Sequence, residues 1–126
     1  MNNQLKVVDI ELDSDETATV TLENEISSIE VFCHLGEYSI GDKVNNLLNV
    51  LDANVKAAYL NDWPAQMIAE ASKERIEQTG PYSYVGCGKV IDEQQGIIEV
   101  RGFLIELDDV PCNDYVEFEI NRLDLW

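Results

Sequence analysis

A repeated alternation of apolar and polar residues, with a period of two, constrains the fold of this chain more than any other feature of its sequence. Near the N-terminus, Val8, Ile10 and Leu12 alternate with Asp9 and Glu11. Because successive side chains of a β-strand point to opposite faces, this pattern predicts a strand that buries Val8, Ile10 and Leu12. The same period occurs in residues 17–22, 29–35, 82–92, 97–107 and 116–121. The chain is therefore predicted to be mainly β.

Turn residues and one irregular segment set the limits of these strands. Polar residues at 13–16 and 92–96 predict hairpin turns between neighbouring strands. Gly102 lies inside an alternating segment and predicts a bulge or a sharp bend. Residues 44–60 fit neither the strand period nor the helix period, so they are interpreted as one or two short strands, broken near residues 52–54.

One main helix is predicted over about residues 64–79. Pro64 suits the first turn, because its missing N–H would have no partner within the helix, and Asp62 is a candidate N-cap. The residues that follow are rich in Ala, Met, Glu, Lys and Arg, which favour helices, and their apolar members form one stripe. Gly80 and Pro81 predict where the helix ends.

The order of predicted elements is several strands, one helix and three strands. Gly41-Asp42-Lys43-Val44 is a turn that leads into a strand, as in many small barrels. In element order the chain resembles the oligonucleotide/oligosaccharide-binding (OB) barrel, in which three strands, a helix and two strands close a small Greek-key barrel. The resemblance implies a small antiparallel β-barrel of the α+β type over residues 1–126, and it implies nothing about ligands.

Length and charge limit the classes of function. A chain of 126 residues with 45% apolar residues fits one domain with a sizeable core. It has 25 acidic and 8 basic side chains and a net charge of −17. Such a surface repels phosphate backbones and anionic lipids, so neither direct nucleic-acid binding nor membrane binding is expected. The N-terminus lacks a basic segment followed by an apolar run, so a cytoplasmic location without a signal peptide is expected.

Cysteine and histidine provide the first candidate site. Cys33, Cys87 and Cys112 are odd in number and far apart, which predicts free thiols in a reducing compartment and leaves an oxidised pair as the alternative. His34 follows Cys33, but neighbouring residues of a strand point to opposite faces, and no C-x-x-C pair is present. No metal site and no cofactor are therefore predicted.

Clustered carboxylates provide the second candidate site. Residues 13–16 resemble the start of a calcium loop, but Ala18 and Asn24 occupy the positions where an EF-hand loop has glycine and glutamate. Gly86-Cys87-Gly88 lacks the third glycine and the following helix of a phosphate-binding loop. An enzyme would need His34 or a carboxylate pair in a cleft, which the sequence does not reveal, so no catalytic residue is predicted.

The acidity itself leads to the favoured hypothesis. Residues 1–37 contain nine acids and residues 99–126 contain eight, so the two ends of the chain carry most of the negative charge. Electrostatic complementarity to a basic protein would use this charge, as in an immunity protein or a DNA mimic. The chain is therefore predicted to be a non-catalytic protein-binding module, foremost a bacterial immunity or inhibitor protein that covers the active surface of a basic toxin such as a nuclease. The predicted contact residues are Asp13, Asp15, Glu16, Asp108, Asp109 and Asp114.

An alternative hypothesis treats the acidity as incidental. The chain would then be a small-ligand-binding or structural accessory domain, with a pocket lined by Tyr82, Tyr84 or Phe103. Aromatic platforms for nucleic-acid bases occur together with a cationic groove, and near these aromatic residues only Lys89 and Arg101 are basic. Core or interface positions are therefore favoured for the three aromatic residues.

Overall fold

The chain forms ten strands and one helix within the part that a computed structural model describes, residues 4–12, 17–34, 38–59 and 62–125. The strands are β1 (Gln4–Leu12), β2 (Thr17–Glu23), β3 (Ser28–His34), β4 (Lys43–Asn45), β5 (Leu48–Ala57), β6 (Arg75–Gln78), β7 (Tyr84–Asp92), β8 (Ile97–Val100), β9 (Phe103–Glu106) and β10 (Tyr115–Asp124). The helix α1 (Ala65–Ala71) lies between β5 and β6. No helix in these described ranges is long and apolar enough to span a membrane.

Five of the strands close a barrel. β10 pairs with β5 on one side and with β7 on the other, and the circuit continues from β7 through β8 and β9 back to β5. The β5–β9 pair is parallel, and the other four pairs are antiparallel. The predicted mainly β fold, a small barrel with a single helix, is confirmed. The helix follows the first barrel strand, whereas in the OB order it follows the third.

The N-terminal strands extend this barrel as an antiparallel sheet. Their order is β4-β1-β2-β3, and β3 joins the barrel where Phe32 pairs with Asp124 of β10. Buried residues of the sheet, such as Val20 and Val31, belong to the same core cluster as Phe103 of the barrel. The described chain therefore has one continuous core.

The prediction that β1 buries Val8, Ile10 and Leu12 holds only for Ile10, which packs against the core. Leu5 and Val7 are the buried residues, and Leu12 is 64% exposed. The pairing of β1 with β2 shifts between Val7 and Asp9, so a β-bulge changes the alternation in the middle of the strand. The period of two identified the strand correctly, but it missed the extra residue Val8, after which the core-facing position is Ile10 rather than Asp9.

The predicted helix over residues 64–79 was too long. α1 contains seven residues, none of them buried, and Pro64 rather than Asp62 is its N-cap. Residues 75–78 instead form β6, which pairs with the free edge of β7. Helix propensity is a weak preference, and pairing with a sheet edge overrides it here.

Two predicted interruptions of strands have different outcomes. β5 continues through residues 52–54, with Asp52 at φ 59°, so the predicted break there was wrong. The chain is interrupted earlier, between β4 and β5. The predicted bend at Gly102 is confirmed, because Arg101 (φ 52°) and Gly102 (φ 82°) form a two-residue turn between β8 and β9.

Tyr84 links the N-terminal sheet to the barrel. The Glu30 N–H donates to the Tyr84 hydroxyl at 3.0 Å, and that hydroxyl donates to the Glu30 carbonyl at 2.7 Å. The hydroxyl thus makes the two hydrogen bonds that the Glu30 backbone would otherwise make with a neighbouring strand at the outer edge of β3. Burial raises the pKa of Tyr84 to about 12, since the phenolate would be poorly solvated.

Replacing Tyr84 tests this link. Tyr84→Phe should lower the free energy of unfolding at pH 8 by about 1–3 kcal/mol, because the Glu30 backbone groups lose their partner. Between pH 10 and 12 the unfolded phenol ionises while the folded one stays neutral, so the wild type should lose about 2–3 kcal/mol that the variant does not. Urea unfolding from pH 8 to 11.5 should show the difference narrowing. A constant difference would contradict the assignment, and Tyr115→Phe, at a half-buried position, is the control.

A second link surrounds the pairing of Phe32 with Asp124. The Asp124 side chain is 4% exposed and accepts two hydrogen bonds from Arg122, at 2.8 and 2.9 Å. The guanidinium carbon lies 4.1 Å from the centre of the Phe32 ring, which meets Tyr82 edge to face at 5.4 Å. These groups join β3, β10 and the turn before β7.

Removing the cation from a buried ion pair should lower the free energy of unfolding more than removing it from a surface pair. Arg122→Met leaves the Asp124 carboxylate buried without its partner, and the free energy of unfolding should fall by about 2–4 kcal/mol. Lys56→Met removes the cation from a pair with Glu117 in which the lysine side chain is 76% exposed, so it should cost at most about 1 kcal/mol. Equal losses in urea unfolding of the two variants would show that the Arg122 pair stabilises no more than a surface contact.

Candidate functional site

Three of the six predicted contact residues lie together at one end of the barrel. Asp108, Asp109 and Asp114 are exposed and belong to the connection between β9 and β10. The other three, Asp13, Asp15 and Glu16, lie outside the described residues. The structure therefore describes one acidic surface of the two that the sequence predicts.

The turn between β7 and β8 adds two acids that were not predicted, Asp92 and Glu93. Asp92 accepts a hydrogen bond from the Gln95 N–H at 3.1 Å, which holds this turn. The resulting acidic end consists of Asp92, Glu93, Asp108, Asp109 and Asp114. The β7–β8 turn and the β9–β10 connection are about fifteen residues apart in sequence, so their proximity is not evident from the sequence alone. It could have been inferred from the strand order, because alternate turns of a meander lie at the same end.

Backbone contacts fix the two loops of the acidic end against each other. The Leu107 N–H donates to the Gly96 carbonyl at 2.7 Å, and the Val90 N–H donates to the Asp114 carbonyl at 2.8 Å. Gly96 has φ +72°, and a Cβ there would lie 2.6 Å from the Asp108 carbonyl carbon. Only glycine allows this approach, so the position of the acids is built into the backbone.

The carboxylates of the acidic end are not neutralised by neighbouring cations. The ion pairs within 4 Å in the described ranges are Lys56–Glu117, Lys73–Glu70 and Arg122–Asp124, and none includes a residue of the acidic end. Lys89 lies opposite Tyr115 and Glu99 in the strand register. The surface therefore presents uncompensated negative charge to solvent.

An apolar side chain is exposed beside the acidic end. The register of β7 with β8 shifts between Val90 and Asp92, so Ile91 is the extra residue of a β-bulge. Its side chain is 50% exposed. Bulges at barrel rims redirect side chains, and here one places an apolar group next to Asp92.

A second surface crosses the outer side of the barrel, and we name it the charged trough. It is a cavity of about 450 Å³ on β5, β6, β7 and β10. Its lining residues are Asn54, Val55, Lys56, Arg75, Glu77, Val85, Gly86, Glu117, Phe118 and Glu119.

Strand register explains the floor of the trough. Val55, Phe118 and Gly86 are opposite one another in adjacent strands. The Phe118 side chain packs in the core, so this row presents its backbone to the outer face. Gly86 is required here, because a Cβ would collide with the Arg75 carbonyl oxygen.

Two rows of side chains form the walls. One row contains Lys56, Glu117 and Arg75, together with the buried Cys87, and Lys56 approaches Glu117 at 3.7 Å. The other row contains Asn54, Glu119, Val85 and Glu77. One wall thus carries both cations together with the Glu117 carboxylate, a net charge of +1, and the other wall carries the carboxylates of Glu77 and Glu119. We call them the cationic wall and the carboxylate wall.

The thiol in the first wall is covered by α1. Cys87 is fully buried, and its Sγ lies 3.4 Å from the Ala71 carbonyl as a hydrogen-bond donor. Burial raises the pKa of Cys87, with Glu117 adding to the effect and Arg75 opposing it. The thiol is therefore protonated at neutral pH and is a poor nucleophile. Cys33 and Cys112 are also free thiols.

The aromatic residues of the alternative hypothesis have structural positions. Phe103 is fully buried, and Tyr84 is 4% exposed. Tyr82 lies within 2.7 Å of the Thr19 hydroxyl through its own hydroxyl and contacts Phe32. Phe103 and Tyr84 are thus core residues, Tyr82 is half-buried, and none of the three lines the trough described above.

The sequence predicts no metal site at Cys33 and His34, and the side chain of His34 lies outside the described residues. No group of three or more potential metal ligands occurs among the residues that the structure describes. Cys33 is buried in the core.

Known proteins provide no further guide to the site. Comparisons of the chain with protein-family models, with curated proteins and with solved structures find no match. The likeness to OB barrels is therefore a likeness of barrel architecture, which many unrelated functions share.

Proposed function

We propose that this chain is a non-catalytic protein-binding module that docks on a basic protein through the acidic end of the barrel. The observation that carries the proposal is the acidic end itself, where five carboxylates on two mutually fixed loops have no close cation among the described residues. The biological role that fits is that of a bacterial immunity or inhibitor protein acting on a cationic toxin, for example a nuclease.

Electrostatic attraction supplies the rate and selectivity of this docking. A net charge of −17 creates a field that steers a basic partner and repels acidic ones. Such fields raise association rates by about 10- to 1000-fold at low salt. A nuclease carries its positive charge where it holds the phosphate backbone, so an acidic protein attracted there covers the active surface.

Apolar contact supplies the part of the affinity that salt does not screen. Ile91 is half exposed beside Asp92, and Tyr115 follows Asp114 at the start of β10. Interfaces combine a small buried apolar or aromatic anchor with a polar rim. In this proposal Ile91 and Tyr115 form the anchor, and the carboxylates form the rim.

A second candidate function is the binding of a small ligand by an accessory domain whose acidity is incidental. The charged trough favours it, because a cavity of about 450 Å³ lies within the size range of ligand sites. Salt separates the two functions, since steering by net charge weakens strongly with ionic strength and binding in a cavity does so much less.

A charge-matched pair of variants tests the docking surface. In the first, Asp108→Asn, Asp109→Lys and Asp114→Lys change the net charge by 1 + 2 + 2 = +5 at the acidic end, with asparagine chosen because residue 108 has φ 69°. In the second, Asp9→Lys, Glu11→Lys and Glu25→Gln give the same +5 at exposed positions of the N-terminal sheet. Circular dichroism and urea unfolding should show both variants folded.

The measurement is capture of basic proteins from a lysate of the source organism on each immobilised protein, followed by elution across a salt series. The wild type and the N-terminal variant should retain a basic protein that elutes near 0.3–0.5 M salt, where the Debye length is about 4–6 Å. The acidic-end variant should lose it. Equal retention by both variants, or retention insensitive to salt, would overturn the proposal.

A further inference from the structure

We propose that the charged trough binds a zwitterionic ligand of dipeptide size, with its ammonium group at the carboxylate wall and its carboxylate at the cationic wall. This proposal does not rest on the proposed protein-binding function, because the trough contains none of the residues of the acidic end. It rests on the arrangement of charge in the trough, on the spacing of its walls and on its floor.

Opposite charges face each other across the trough without pairing. Arg75 and Glu77 are exposed residues of β6 on opposite walls, and Glu119 lies beside Glu77 on the carboxylate wall. The close ion pair within the trough, Lys56–Glu117, joins two residues of the same wall. None of the close ion pairs in the described part of the chain crosses from one wall to the other. A ligand with both charges would place a charge of opposite sign at each wall.

The spacing of the walls sets the length of the ligand. Each strand contributes residues two positions apart, such as Glu117 and Glu119, so the walls are about 7 Å apart. Two extended residues of a peptide span about the same distance. A dipeptide with free termini therefore matches the spacing, whereas a single anion or cation can satisfy only one wall.

The floor gives the ligand room rather than hydrogen-bonding groups, since its backbone groups are already paired between the strands. Val55, Gly86 and Phe118 present backbone to the trough, and Val85 adds an apolar side chain on the carboxylate wall. The volume of about 450 Å³ accommodates a dipeptide. Charge-assisted hydrogen bonds to the two termini would then set the orientation of the ligand.

Two-dimensional ¹H–¹⁵N NMR with the full chain tests the proposal, using L-alanyl-L-alanine with free termini as the probe. The amide signals of Val55, Gly86 and Phe118 should shift and saturate. The same dipeptide, acetylated and amidated at its ends, should give no saturable shift at equal concentration, because it carries neither charge.

Each wall is tested by a substitution inside the trough and a control substitution outside it that changes the net charge by the same amount. Arg75→Gln and Glu119→Gln should each raise the Kd for the dipeptide about tenfold, the effect of losing one charge-assisted hydrogen bond. Lys73→Gln and Glu11→Gln make the same charge changes at exposed positions outside the trough and should alter the Kd less than about twofold.

Three results would overturn the proposal. They are shifts that do not saturate or that map outside the trough, equal binding of the capped dipeptide, and an Arg75→Gln variant with the affinity of Lys73→Gln. Since Arg75 and Glu119 are exposed, both substitutions should leave the spectrum of the core unchanged, which separates lost binding from lost folding.

Discussion

The attachment of the N-terminal sheet at the outer edge of β3 is the constraint on which the rest of the structure depends. β3 shares one residue pair with the barrel, Phe32 with Asp124. Buried backbone groups need partners, and here side chains supply them. Tyr84 satisfies both backbone groups of Glu30, and Asn46 donates to the Gly102 carbonyl at 2.7 Å while accepting from the Leu104 N–H at 3.1 Å. A few polar side chains thus convert a barrel and a sheet into a unit with one core.

The location of the acidic side chains explains how a protein with a net charge of −17 tolerates the repulsion between them. The buried carboxylate of Asp124 is neutralised by Arg122, so the core carries a compensated pair. Most other described acids are exposed or half exposed, where water screens them. The negative charge therefore costs little at the core and is available at the surface, and at the acidic end the backbone holds it in place through Gly96 and Asp108.

Sequence patterns predicted the strands that are defined by alternation of apolar and polar residues. They missed the bulges and the edge strand, which depend on pairing with other strands. The period of two located β2, β3 and β10, whose predicted segments alternate without a bulge, and it located β7 despite the bulge at Ile91. In β1 it missed the inserted residue Val8, after which the core-facing positions change from odd to even numbers. It also failed at residues 75–78, which have the composition of a helix but lie along the edge of β7. The helix propensity of residues 75–78 depends on those residues alone, so it carries no information about pairing with β7, which comes later in the chain.

The candidate sites follow the same division. Asp108, Asp109 and Asp114 could be predicted, since acids in a polar loop are exposed in almost any fold. The trough could not, because Lys56, Arg75 and Glu119 come together only through the register of four strands that are distant in sequence. The one feature of the trough that is visible in the sequence is that Glu117 and Glu119 lie two residues apart, which places them on the same face of β10.

The two surfaces are placed so that they should not act independently. β7 and β10 contribute to both, and the acidic end and the trough are separated along β10 by three residues, from Asp114 to Glu117, a distance of about 10 Å. A protein interface of ordinary size covers about 800 Å² on each partner, which corresponds to a radius of about 16 Å. A basic protein centred on the acidic end would therefore reach the near wall of the trough, where Lys56 and Arg75 lie. A zwitterion bound there has no net charge, so it would leave the net charge that a basic partner meets unchanged and would act on docking only through direct contact with that partner.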